Sequence, residues 1–234
     1  MPAERDARAA LVERFFRGTG NSYDFMVNAA TFGIDRRWKR RIVRLIPPGS
    51  SRVADLACGT GISTLAIARH LPGCRVIGVE MREEYLAIAR EKVRRYGVSN
   101  VELVLSRAED YCCAEPFDCI ASSYLAKYAD IPRLVENASH MLAPGGLLLM
   151  HDFTYPAKPH LVRVWRLYFQ LLQRLAGPLF PAWREIYEGL PALIARTRWL
   201  EELPAALQAH GFTEIRREDL TLYGSAIITA RRPP

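Results

Sequence analysis

Along the chain, short continuous apolar runs alternate with stretches in which apolar residues recur every three or four positions. The first pattern marks strands buried on both faces and the second marks amphipathic helices. Their alternation predicts an α/β domain around a mostly parallel sheet. Five runs stand out, at 53–56, 75–80, 101–105, 117–123 and 144–150. Helical spacing occupies 63–71, 82–96 and 131–141, with Gly97 stopping the second helix and Ala143-Pro144-Gly145 the third. Upstream, residues 3–46 read as helical and end at Pro47-Pro48-Gly49. Downstream, residues 156–198 break the rhythm. Pro159, Pro178, Pro181 and Pro191 flank helical pieces there that are rich in Trp, Tyr, Phe and Leu. A helix over 200–210 and strands over 212–217 and 224–231 bring the expected sheet to seven strands. The organisation is that of one domain: a helical cap (1–46), a core (50–155), a helical lid insertion (156–198) and a closing helix with two strands (199–234).

The turn after the first strand carries the most specific chemistry, in Val53-Ala-Asp-Leu-Ala-Cys-Gly-Thr-Gly-Ile-Ser-Thr64. Gly59 and Gly61 permit a sharp turn in which backbone approaches a ligand with no Cβ in the way. A dinucleotide fingerprint wants a third glycine where this chain has Thr64, which argues against NAD or FAD. Asp55, just before the turn, suits a ligand with a positively charged amino group, as in S-adenosylmethionine (SAM). Glu80 ends the second strand roughly 20 residues past the loop, where a ribose-binding carboxylate belongs.

These ordered elements resemble the class I SAM-dependent methyltransferases, which implies a Rossmann-like sheet with helices on both faces and SAM as cofactor. Tyr23-Asp-Phe-Met-Val-Asn28 and Thr31-Phe-Gly-Ile-Asp-Arg-Arg-Trp-Lys39 lie outside that core. They resemble the N-terminal signature of the ubiquinone/menaquinone biosynthesis C-methyltransferases. The resemblance continues through Phe117-Asp118, Leu142-Ala-Pro-Gly-Gly146, Asp152-Phe-Thr-Tyr-Pro156 and Leu207 to Phe212. It implies a cap folded over SAM, with Tyr23 and Thr31 near the cofactor. Ala57, Gly59, Thr60, Gly61, Thr64, Met81, Arg107, Ala108, Glu109 and Ser123 join Asp55 and Glu80 as expected cofactor contacts.

Departures fall on the acceptor side and at the adenine. Arg107 stands where the family has Asp or Asn, and a cation cannot accept the adenine amino proton. The family's Phe-Gly-Leu-Arg-Asn-Val becomes Tyr124-Leu-Ala-Lys-Tyr-Ala129. Lys127 keeps a positive charge without the planar fork of arginine.

Methyl transfer to a hydroxylated ring is helped by a base that removes a phenol proton. His151 and Asp152 end a strand at the ligand edge and are the expected bases. Lys127 or a tyrosine (Tyr124, Tyr128, Tyr155) is expected to stabilise the phenolate. The expected acceptor is a hydrophobic small molecule, a demethylquinol-type ring by resemblance. A methyltransferase acting on O, N or another carbon of a different metabolite, and a scaffold without turnover, remain as alternatives.

Composition narrows the partners. The net charge is +7, but most of the excess is arginine scattered among acids. The compact cluster Arg36-Arg37-Trp38-Lys39-Arg40-Arg41 has Trp38, Ile42, Leu45 and Ile46 spaced for burial, as in a surface helix. With no recognition module beside it, no nucleic-acid partner is expected. The charged N-terminus and the lack of a spanning apolar run predict a cytoplasmic protein. Five cysteines without Cys-x-x-Cys spacing indicate neither a disulfide frame nor a metal site. The stretch Leu161–Leu175 is amphipathic, with Arg163, Arg166 and Arg174 on its polar side. It reads either as a wall for a greasy acceptor resting on a membrane surface, or as a lid helix packed on the core or on a second subunit.

Overall fold

A computed structural model of the protein describes residues 2–234. Three helices come first: α1 (Pro2–Phe16), α2 (Gly20–Ala30) and α3 (Ile34–Leu45). The core then runs β1 (Arg52–Leu56), α4 (Ile62–His70), β2 (Arg75–Glu80), α5 (Glu83–Arg95), β3 (Val101–Leu105), β4 (Phe117–Ser123), α6 (Ile131–Met141) and β5 (Leu142–Phe153). The lid is α7 (Pro159–Leu179), a short 3₁₀ turn (Pro181–Trp183) and α8 (Arg184–Arg196). The chain closes with α9 (Trp199–Ala209), β6 (Thr213–Leu220) and β7 (Ser225–Arg231).

The seven strands lie in the order β3-β2-β1-β4-β5-β7-β6. β1 to β5 are mutually parallel, and β7 runs antiparallel between β5 and β6. Strand order reverses between β1 and β4, which opens a crevice at the carboxyl ends of the strands. Side chains alternate across the sheet. Val53, Val76 and Cys119 pack against α3 and α4 through Val43, Ile46 and Ile67. Ala54, Leu56 and Ile120 face α6 and α9 through Leu134, Trp199 and Leu203. Burial on both faces is why these strands read as continuous apolar runs. Beyond the sheet, Phe15, Met26, Trp183, Ile186 and Tyr187 join the cap to the lid.

The lid departs from the expectation that its prolines flank helices. Pro159 and Pro181 open their elements, where a missing N–H costs nothing. Pro178 and Pro191 instead lie inside α7 and α8. Proline at 191 leaves the Tyr187 carbonyl without its helical donor, and Gln173 Nε2 of α7 donates to it at 2.9 Å. That bond ties the two lid helices together. Among the described residues, no helix is long and apolar enough to cross a membrane.

Gln173→Ala should therefore lower stability by about 1 kcal/mol. The cost should shrink when Pro191→Ala restores a backbone donor, a coupling that urea unfolding of the two single variants and the double variant would measure.

Candidate active site

The donor groove is built by the first turn of the core. Ala57 takes φ +57, Gly59 +58 and Gly61 +81, so three of five consecutive residues lie in the left-handed region that glycine favours. A Cβ at Gly61 would stand 3.1 Å from that of Ala89 in α5. The close helix approach that dinucleotide folds obtain from a third glycine comes here from Gly78 in β2. A Cβ there would meet Thr64 at 3.2 Å and Cys58 at 3.1 Å.

Beneath the turn, Asp55 is 2 % exposed and accepts a 2.6 Å bond from Thr64 Oγ1. Burial raises its pKa to about 6, against the hydrogen bond from Thr64. A carboxylate so desolvated gains from a cationic partner. Glu80 bridges the two loops, accepting from Gly59 N and Arg82 N, both at 2.9 Å.

Two small pockets flank this acid. One holds Asp55, Ala57, Gly59, Thr60 and Ser123, with Tyr23, Lys39 and Tyr124 above them. The other holds Ala57, Met81, Arg107, Ala108 and Glu109 beneath α1. Buried Arg107 Nε has no hydrogen-bond partner there. It is a donor suited to an adenine ring nitrogen rather than to the amino group. The two pockets thus offer a buried acid on one side and an arginine donor on the other, with Glu80 holding the loops between them.

The cap closes over the donor turn. Asp24 of α2 accepts from Thr60 Oγ1 at 2.5 Å and forms an ion pair with Lys92, whose ammonium also reaches Thr60 O at 3.0 Å. Neither Asp24 nor Lys92 was expected from the sequence. The signal available was the position of Asp24 within the cap signature. Thr64, Gly61 and Glu80 line neither pocket. Thr64 orients Asp55, and Gly61 provides the turn.

Next to the donor pocket lies a cavity of about 330 Å³. Its walls come from the cap (Met26, Val27), the lid (Trp165, Phe169) and the sheet edge (Phe153). Thr31 sits on this wall and not beside the donor turn, because its hydroxyl is turned back to Val27 O at 2.8 Å. Tyr23 and Tyr124 line both the cavity and the donor pocket, so they mark where the two spaces meet.

The expected bases are placed elsewhere. Asp152 and His151 are fully buried and line neither space. Asp152 is saturated by Lys127 Nζ (2.7 Å), Lys127 N (3.0 Å) and Phe153 N (2.7 Å). His151 is held between Ser123 Oγ (2.9 Å) and Ser225 Oγ (3.2 Å). Burial, with Lys39 and Lys127 nearby, drives its pKa far below the usual value. Both lie behind Tyr124, which covers the end of β5. Tyr155 packs edge-on against Trp165.

Lys127 lines the cavity, and burial lowers its pKa against the pull of Asp152. Tyr124 donates its hydroxyl proton to Asp35 Oδ1 at 2.6 Å, and the same oxygen accepts from Lys39 Nζ at 2.8 Å. Asp35 was not singled out by the sequence, where it is one acid leading a basic run.

A Rossmann-type turn that lacks the pyrophosphate glycine but keeps both acids accommodates an adenosyl group joined to a charged amino acid. This defines a class I SAM-dependent methyltransferase. The chain matches the model of the ubiE/COQ5 methyltransferase family over residues 3–231 and belongs to that family. It is 32% identical over 216 residues to a demethylmenaquinone methyltransferase of Thermus thermophilus, covering 90% of this chain and 96% of the relative. It is 29% identical over 224 residues to a ubiquinone/menaquinone biosynthesis C-methyltransferase of Proteus mirabilis, covering 93% and 89%. Among solved structures, the N-methyltransferase NodS of Bradyrhizobium japonicum matches with a TM-score of 0.58 at 18% identity, over 86% of this chain and 97% of that one. The mitomycin 7-O-methyltransferase MmcR matches at 0.63 and 17%, over 89% and 57%. At these identities the structural likeness concerns the fold.

Asp55→Asn should weaken SAM binding by about tenfold or more, since a charged hydrogen-bond partner is lost; calorimetry would show it. Binding an ammonium group lowers the pKa of Asp55 from about 6. Wild-type affinity should therefore be full above that pH and fall about tenfold per unit below it. A flat profile from pH 7.5 to 5 would contradict the role given to Asp55.

Proposed function

We propose that the protein transfers the methyl group of SAM to a ring carbon of a demethylquinol-type aromatic with a hydrophobic tail. The observation that carries this reading is the aromatic-walled cavity of about 330 Å³ sharing Tyr23 and Tyr124 with the donor pocket. The names of the relatives agree with it. Such an acceptor partitions into lipid, so we place the reaction at a membrane surface.

SAM supplies an electrophilic methyl group, and the protein's task is to align the acceptor and raise its nucleophilicity. No carboxylate or imidazole lines the cavity among the described residues. Tyr124 is a cavity-lining tyrosine whose hydroxyl is bonded to an acid. Burial and the neighbouring Asp35 raise its pKa far above the usual tyrosine value, so it works as a neutral relay. Its oxygen accepts the acceptor's hydroxyl proton as its own proton passes to Asp35. The ammonium of Lys127 in the same wall stabilises the resulting phenolate.

Mass spectrometry of SAM-loaded protein given a demethylmenaquinol analogue should detect the methylated product. SAM binding without product would move the acceptor away from quinols. Tyr124→Phe should reduce kcat about a hundredfold and leave the calorimetric affinity for SAM within about twofold of wild type, because the ring that lines the donor pocket is kept and the lost hydroxyl is bonded to Asp35. Unchanged kcat would rule out the relay.

A further inference from the structure

Eleven large hydrophobic side chains are left exposed among the described residues. Five of them form a stripe on α7: Val164, Leu167, Leu171, Leu175 and Leu179, between 46% and 74% exposed. Trp165, Phe169 and Leu172 of α7 already line the cavity, so the exposed stripe adds apolar surface beyond the side that faces the cavity.

The cap and the β6–β7 turn extend the patch. Phe32 is 79% exposed and Leu222 72%, and both, with Val164, also line the cavity. Phe32 meets Tyr168 of α7, with ring centroids 6.2 Å apart. The exposed patch therefore surrounds the cavity's mouth. Along one flank of the stripe, Arg163, Arg166 and Arg174 are exposed and form no ion pair among the described residues. Lys158, at the start of the helix, lies over the Tyr223 ring, 5.5 Å from its centroid.

We infer that this face docks on an anionic lipid surface, with the outer side of α7 lying in the interface and the cavity opening directly into it. The inference rests on the reading of the acceptor as hydrophobic. A helix with an apolar stripe edged by arginines seats its leucines at the acyl boundary and its cations among anionic headgroups. A lipid surface also suits the mouth. A second copy of the chain seated on the same face would cover the opening and bring the arginine flanks of two α7 helices together. A tailed acceptor entering from lipid moves from one apolar medium to another and never crosses water.

The test uses the full chain and vesicles of phosphatidylcholine with about 30% phosphatidylglycerol as the anionic lipid. Co-sedimentation should show binding that is weaker on pure phosphatidylcholine and falls with added salt. The double variant Leu167→Glu/Leu171→Glu changes two exposed positions outside the cavity. It should lose at least roughly tenfold in vesicle affinity and keep wild-type affinity for S-adenosylhomocysteine, which confirms that the donor site is folded. It should also keep its turnover of a short-tailed, water-soluble acceptor while losing turnover of a long-tailed one in vesicles.

Equal vesicle binding by wild type and variant would overturn the inference. So would a wild type that ignores vesicles yet binds S-adenosylhomocysteine. A concentration-dependent dimer dispersed by the same substitutions, without vesicle binding, would name a second copy as the occupant and also overturn it. Vesicle binding lost in the variant, with no methylation of any quinol by either protein, would uphold the docking face and overturn the quinol reading alone.

Discussion

The buried pair of Lys127 and Asp152 holds the wall on which both ligand spaces depend. Its side chains are 2% and 0% exposed, and an ion so removed from water is tolerated only when nearly all its hydrogen-bonding capacity is met. Here it is met. The carboxylate takes the ammonium and two backbone N–H groups, and the ammonium also donates to Tyr124 O at 2.9 Å. The segment between β4 and α6 is thereby pinned to the end of β5. Breaking the pair from either side leaves an uncompensated charge worth about 3–5 kcal/mol. The pinning accounts for Tyr124 standing at φ +70 with its ring stacked on Phe153, centroids 4.7 Å apart. A bulky residue stays in that region only where its surroundings over-determine it.

On either side of Tyr124 the chemistry differs. The donor groove is a product of strand ends, where two buried acids and a tight turn of left-handed residues collect. The acceptor cavity is a product of the added helices, which contribute aromatic and aliphatic walls. Helix α2 serves both. It presents Asp24 to the donor turn and Met26 and Val27 to the cavity. Gly189 of α8 lets the lid approach the cap, since a Cβ there would stand 2.5 Å from the Phe15 ring.

The strands and donor acids were readable because their signals are local: apolar runs buried on both faces, and an acid followed within a few residues by the glycines it supports. The placement of His151 and Asp152 was not readable. A polar pair at a strand end looks the same in sequence whether it faces a crevice or is covered. What covers it comes from far away: Ser225 lies 74 residues from His151, and Trp199, which donates to Phe153 O at 2.8 Å, lies 46 residues from it. Asp35 was hidden for the same reason, since its partner Tyr124 is 89 residues distant and an acid leading a basic helix is solvated by default. On α7, helical spacing revealed an amphipathic helix. The exposed leucines of its outer face carry the same periodicity as the buried ones, so pattern alone could not separate the two faces.

The two compartments are also tied to the cap differently. The donor turn is held to it through Asp24, Thr60 and Lys92. The acceptor cavity opens between α7, Phe32 and Leu222 without disturbing that tie. The two spaces meet at Tyr23 and Tyr124, which line both. Both sides hold buried charge: Asp55 on the donor side and the Lys127–Asp152 pair on the acceptor side. Burial of Asp35 strengthens its bond with Tyr124, since each electrostatic interaction grows as the local dielectric falls. In the proposed reaction it is this bond that lets a neutral tyrosine, with an acid behind it, take up the acceptor's proton.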